Sequence, residues 1–180
     1  MMRTFVAVEV HSESVLDAIA NLQKDFNIKA SPVSRQNMHF TLLFLGEITD
    51  DTAEAVKKLL SGIDFKPIEL SFTHLGAFPN PKFPRVIWIG VDEAASKQLV
   101  ELAAQVEKKL VPLGFKSDKL FKPHLTIFRV KNKTDDISKE IEKHRQVDLG
   151  KDVICELKFK KSILTSNGPI YSDLQVIKAR

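Results

Sequence analysis

The chain has 180 residues, 43% of them hydrophobic and 28% charged, the composition of one compact domain or of two small lobes sharing a core. Its single cysteine, Cys155, excludes an internal disulfide, and no stretch approaches the roughly 18 apolar residues of a membrane span. The formal charge of +4 gives a mildly basic surface, compatible with a polyanionic partner such as RNA but weak as a signal alone.

Residues 4–10, TFVAVEV, read as a first strand and not as the apolar core of a signal peptide, so a cytoplasmic protein is expected. Residues 12–26 follow as a helix, with Val15, Leu16, Ile19, Leu22 and Phe26 at helical spacing and Ser12 or Ser14 as cap. Residues 27–37 form a loop, and HFTLLFLG (39–46) is a strand stopped at Gly46. A helix over 49–61 has acidic residues in its first turn and lysines later. IELSFTHLGAF (68–78) is a strand, and PNPKFP (79–84) interrupts the chain with three prolines. The order then recurs: a strand at 85–91, a long helix bearing Leu99, Leu102, Val106 and Leu110 that ends at Pro112 and Gly114, a strand HLTIFRV (124–130) and a helix over 134–145. Two last strands, VICELKFKKSILTS and IYSDLQVIKA, are joined by an Asn167–Gly168 hairpin turn, with Cys155 expected as a small core residue.

Equivalent positions keep a steady separation: Val6 to Val86 is 80 residues, His39 to His124 and Thr49 to Thr134 are each 85, and Leu70 to Leu157 is 87. We therefore expect a single bilobal domain over 1–180 with an internal duplication, approximately 1–80 and 85–180, whose lobes are related by a pseudo-twofold axis.

That arrangement brings two His-x-Thr strands to one cleft. With 5 histidines in the chain, roughly 0.2 such triplets are expected by chance, yet two occur at equivalent points of the repeat. Residues two apart in a strand share a face about 7 Å apart, so each strand presents an imidazole beside a hydroxyl. The same alternation puts Phe44 and Arg129 on the opposite face from the histidines unless the strand bends or ends. Two imidazoles suit the transfer of one proton onto, and one proton off, a reacting centre near neutral pH. Paired hydroxyls from Thr41 and Thr126, with the fixed charge of Arg129, suit the oxygens of a phosphate. Phosphodiester transesterification or hydrolysis without metal is the expected chemistry. Neither strand adds a Cys, Asp or Glu on its histidine face, Glu47 being the nearest alternative ligand, so no metal or cofactor is expected.

NMHFTLLFLGEI and FKPHLTIFRVK resemble the paired motifs of the 2H phosphoesterase superfamily. More narrowly, they resemble the RNA 2′,3′-cyclic phosphodiesterases historically called 2′-5′ RNA ligases. FPNPKFPRVIWIGV and the closing GPIY are similar to that family's linker and C-terminal strand, so the resemblance covers the whole chain. It implies a bilobal α+β fold, two lobes each with an antiparallel sheet and helices, and an active site in the cleft between them. It also implies that His39 and His124 are catalytic, that Thr41, Thr126 and Arg129 hold the phosphate, and that Phe44 can stack on a base. The implied reaction is hydrolysis of a terminal 2′,3′-cyclic phosphate to a 2′-phosphomonoester, with reverse 2′-5′ ligation open to the same residues. The implied partners are RNA ends bearing 2′,3′-cyclic phosphate, tRNA fragments or nucleoside cyclic phosphates among them. A monomer with no membrane partner is expected.

Which histidine is the base is not legible at this stage. RNA joining as the main task uses the same residues, and a non-catalytic module for RNA ends would be marked by loss of a histidine, whereas both are present. His11 and His144 read as solvated, and His74 as structural or at the surface. LKFKK reads as a solvated strand face or a steering patch for RNA, and Lys122 as within reach of a phosphate.

Overall fold

A computed structural model describes the whole chain, Met1–Arg180. Its elements are β1 (Met2–Glu9), α1 (Glu13–Asp25), β2 (Ser31–Pro32), β3 (His39–Ile48), α2 (Asp50–Leu60), β4 (Ile68–Phe78), β5 (Val86–Val91), α3 (Glu93–Leu110), β6 (Leu125–Arg129), α4 (Ser138–Lys143), β7 (Lys151–Ile154), β8 (Glu156–Thr165) and β9 (Gly168–Lys178). The three long helices begin at side-chain caps: Ser12 accepts from the Val15 amide, Thr49 from Thr52 and Asp92 from Ala95. α3 closes through a 3₁₀ turn onto Gly114 at φ +86°, a conformation in which glycine carries no Cβ penalty. No helix is long and apolar enough to cross a membrane.

The strands form two antiparallel sheets, ordered β3-β1-β8-β9 and β2-β6-β5-β4-β7. The run β3-β1-β8 in one sheet has the form of β6-β5-β4 in the other. β4, from the first half of the chain, therefore lies in the sheet built on β5 and β6, while β8, from the second half, completes the sheet built on β1 and β3. Helices cross between halves too: α1 packs on β6, and α3 on β3 and β4. One apolar cluster of 41 buried residues runs through both sheets, with Phe40, Phe72 and Phe159 fully enclosed. The expected bilobal α+β fold is the one observed.

Several boundaries differ from the sequence reading. β3 does not stop at Gly46; that residue takes φ +72° at an irregularity in the pairing with β1, and the strand continues to Ile48. The loop over 27–37 holds the short strand β2 and a 3₁₀ turn, Arg35–Asn37. The helix expected over 134–145 shrinks to six residues, because Asp136 accepts from the Ser138 amide and hydroxyl while the Ile137 amide donates to the carbonyl of Pro81. The single strand read through VICELKFKK is two. Ile154 pairs with β4 in one sheet, Leu157 with β9 in the other, and Cys155 between them is exposed at the crossing and not in the core.

LKFKK is neither a solvated face nor a steering patch. Lys158 and Lys160 are buried side chains, 11% and 6% exposed, that share Glu9 and Asp173 in a four-charge cluster across β1, β8 and β9. Burial alone would raise the carboxyls, but hydrogen bonds and charge from the two lysines outweigh it and hold both Glu9 and Asp173 below their ordinary range. Truncating Lys160 leaves two partly buried carboxylates against the single remaining cation, Lys158. Lys160→Ala is expected to lower the unfolding free energy by about 3–5 kcal/mol in urea denaturation. Arg35→Ala, which removes only exposed pairs to Glu13 and Asp17, leaves the transition midpoint nearly unchanged.

Candidate active site

β3 and β6 approach each other across the seam between the sheets. Both are bulged, and at the same place. Val6 faces Leu43 but Ala7 faces Thr41, so Leu42 is an extra residue in β3. Ile87 faces Phe128 but Trp88 faces Thr126, so Ile127 is extra in β6. Each bulge falls three residues after its histidine and turns two successive side chains inward: Leu42 and Leu43 are both buried, as are Ile127 and Phe128. Strict alternation is thereby broken. Phe44, 65% exposed, and Arg129 swing onto the histidine face, against the parity argument from sequence.

The bulge in β6 is fastened from outside the sheet. The Gln23 side-chain amide on α1 donates to the carbonyls of Ile127 at 2.8 Å and Val33 at 3.0 Å, and the Val33 amide also donates to Ile127. An exposed-helix reading of Gln23 offers no hint of this, because the partners lie 10 and 104 residues away.

All six residues singled out from sequence, His39, Thr41, Phe44, His124, Thr126 and Arg129, line one cleft of about 640 Å³. Its rim adds Lys131, Asn37 and Tyr171, which the sequence reading did not pick out; Tyr171 lies within GPIY, whose role no spacing argument reveals. The Asn37 side-chain amide donates to the Pro169 carbonyl at 3.1 Å, linking the loop before β3 to the β8–β9 hairpin. Glu47 lies opposite Arg3 at the far end of β3, away from the cleft. No cluster of three or more His, Cys, Asp or Glu side chains is placed to hold a metal ion.

The two imidazoles are held alike. His39 Nδ1 lies 2.7 Å from the Asn37 carbonyl, and His124 Nδ1 lies 2.6 Å from the Lys122 carbonyl. A carbonyl only accepts, so each Nδ1 carries the hydrogen and each neutral ring keeps its lone pair on Nε2. His39 Nε2 lies 3.0 Å from the Thr41 hydroxyl, which donates to it in that tautomer. Each ring is also backed by aromatics: Phe5 and Tyr171 at 5.1 and 5.2 Å from His39, Phe78 at 4.9 Å and Trp88 at 6.4 Å from His124. Trp88 reaches its place because Gly76 leaves room; a Cβ there would meet the indole at 2.2 Å.

Electrostatics separate the pair. Burial pushes His39 down to about 4, against the hydrogen bond to the Asn37 carbonyl and the charge of Glu9, with Lys160 and Arg129 adding to the shift. Burial and Arg129 also lower His124 from 6.5, while its hydrogen bond to Lys122 opposes the shift. Among the other histidines, His74 is exposed on β4 and His11 keeps 47% of its side-chain surface, as expected. His144 is not solvated: its ring is 17% exposed, stacks on Phe26 at 5.6 Å and pairs with Glu140.

A family model described as LigT like Phosphoesterase matches the chain twice, over residues 8–88 and 89–171. The chain belongs to this phosphoesterase family. An Archaeoglobus fulgidus protein named RNA 2′,3′-cyclic phosphodiesterase is 41% identical over 98% of this chain and 100% of its own length. A Methanocaldococcus jannaschii protein of the same name is 38% identical over 98% and 99%. The crystal structure of Escherichia coli LigT complexed with 3′-AMP superposes with a TM-score of 0.79 over 99% of this chain and 98% of that one, at 21% identity, a likeness of fold. In this LigT-like chain, the two matched segments each contribute one bulged His-x-Thr strand to the cleft.

Long-range ¹H–¹⁵N NMR is expected to find both His39 and His124 as the Nδ1–H tautomer. His39 should titrate at about 4, and His124 below the ordinary imidazole value. A His39 midpoint above that of His124 would contradict the electrostatic ordering. Gly76→Ala, by displacing Trp88, should shift the His124 resonances and leave those of His39 in place.

Proposed function

We propose that this chain is a metal-independent RNA 2′,3′-cyclic phosphodiesterase that opens the terminal cyclic phosphate to a 2′-phosphomonoester. One observation carries the reading: two imidazoles of preset tautomer, each with a threonine hydroxyl on its own strand face, line a single cleft that also holds an arginine. The curated relatives bear the same activity in their names.

His39 is assigned as the base, since its depressed pKa keeps it neutral in solvent near pH 7. Its Nε2 takes a proton from water as the water oxygen bonds to phosphorus. The bond from phosphorus to the ribose 3′ oxygen breaks, and His124, the less depressed of the two, supplies a proton from Nε2 to that oxygen. The proton gained by His39 and the one lost by His124 are exchanged with solvent before the next turnover. Thr41, Thr126 and Arg129 take the charge that grows on the non-bridging oxygens, and Phe44 offers its exposed ring to a base. With a 5′-hydroxyl in place of water the groups act in the same sense, His39 taking the hydroxyl proton and His124 protonating the departing 3′ oxygen, and a 2′-5′ linkage forms. We also read the two halves of the chain as copies of one unit, a view supported by the matching strand orders of the sheets. The cleft is complete within one chain, so a monomer suffices.

The test is incubation with nucleoside 2′,3′-cyclic phosphates in EDTA, with product read by ³¹P NMR. A 2′-phosphate is expected; a 3′-phosphate, or loss of activity to the chelator, would refute the reading. His39→Ala and His124→Ala should each slow turnover by roughly 10²-fold or more. The profile of kcat/KM should be bell-shaped and acid-shifted. It rises as His39 loses its proton near about 4 and falls as His124 loses its own below 6.5. In His39→Ala the acid limb should vanish and the alkaline limb remain.

A further inference from the structure

A second groove, of about 930 Å³, opens from the catalytic cleft on the side of His124. The two share Thr41, Phe44, Val86 and His124; His39 lines the first alone. One wall is the segment 116–122, which joins the end of α3 to β6 and has no regular structure. This groove is chemically unlike the cleft. Arg85, Lys116, Lys119 and Lys122 line it against one carboxylate, Asp118. None of the four cations is engaged in an ion pair. Phe44, Phe78 and Phe121 line the same space, and Leu120 beside them is 91% exposed.

The segment is anchored despite its irregular path. The Ser117 amide donates to Glu107 on α3, the Ser117 hydroxyl donates to the Lys119 carbonyl, and the Lys119 amide donates back to that hydroxyl. Its lysines are therefore set along the groove wall and do not ride on a loose tip.

We propose that this groove is a subsite for single-stranded RNA on the 5′ side of the terminal ribose, taking the next one or two phosphates on its lysines and a base on its apolar floor. A cationic track with aromatic side chains is the combination that single strands bind, because phosphates repeat and every base has a stacking face. The first cleft does not offer this. Its rim is mostly uncharged, with Ser31, Ser34, Gln36 and Asn37, and its cations are two, Arg129, assigned to the reacting phosphate, and Lys131 on the rim. Continuity fixes the direction. The leaving 3′ oxygen stays attached to the ribose, and the ribose carries the upstream chain. A chain lying in the second groove therefore presents its 3′ oxygen to His124, the histidine common to both spaces, and leaves the His39 side to water. The inference rests on the proposed hydrolase reading for what ends in the cleft. Its consequence is that oligonucleotide ends, and not mononucleotides, are the preferred substrates.

The decisive measurement is binding, which does not require turnover. Cytidine 2′-phosphate and a tetranucleotide ending in cytidine 2′-phosphate are titrated by calorimetry into the wild type and into Lys116→Ala/Lys119→Ala. The three added nucleotides should tighten binding to the wild type about tenfold or more, and by less than about threefold in the double variant. The dependence of log affinity on log salt should become shallower by about 1.4, at about 0.7 for each lost contact to a single strand. Lys116→Arg/Lys119→Arg should keep the length gain. Equal affinity for both ligands in the wild type, a length gain that survives the double variant, or an equal loss on both ligands would overturn the proposal. Length-dependent, lysine-dependent binding without turnover of any cyclic phosphate would remove the hydrolase reading and keep this one. Turnover of mononucleotide with no length gain would do the reverse.

Discussion

Everything chemical in this protein depends on one departure from regular β-structure: an extra residue, Leu42 in β3 and Ile127 in β6, three places after each histidine. An unbroken strand cannot aim residues of odd spacing at one point, because its side chains alternate. With the bulge, two apolar neighbours go into the core together, and the residue after them returns to the polar face. One strand thus delivers His39, Thr41 and Phe44 to the cleft, and the other delivers His124, Thr126 and Arg129. An irregularity that costs ladder hydrogen bonds would be unfavourable if left open. In β6 the Gln23 amide and the Val33 amide take up the displaced carbonyl of Ile127, so the distortion is satisfied and held.

The histidines gain their direction from backbone and their titration from surroundings. A carbonyl two residues upstream accepts from Nδ1 in both cases, a local device repeated in each half. What differs is long-range. Burial lowers His39 most, and of the charges paired on the sheet beside it Lys160 lowers the ring further while Glu9, opposite on β1, raises it. No such charged cluster stands behind His124, although aromatic rings flank both histidines. Similar strands thus produce two imidazoles of different proton affinity, the condition for one to receive and the other to give.

Much of this was legible in the sequence. The element order, the paired motifs and the two histidines and threonines of the cleft could be read because they rest on local periodicity and on even spacing along the chain, while Phe44 came from the family resemblance and Arg129 from its charge and that resemblance, against the periodicity. What escaped depends on partners distant in sequence. Bulges are a property of two paired strands, so the facing of Phe44 and Arg129 was misjudged from one strand alone. Lys158 and Lys160 look solvated beside their neighbours and become buried only when Glu9, some 150 residues away, is brought alongside. Cys155 sits in an apolar run that promises a core, yet the chain changes sheets at that residue and leaves it outside. The helix at 134–145 was overdrawn because the Asp136 turn competes with its first turn.

The change of sheets at Cys155 also limits how the molecule can move. Ile154 is hydrogen-bonded into one sheet and Leu157 into the other, so almost no slack separates them, and β4 is similarly exchanged in the opposite sense. The two lobes are sewn together rather than hinged. Jaw-like opening would have to unzip a strand, so the gauge of the gap is built in at folding, and accommodation of a guest falls to side chains and to the flanking loops.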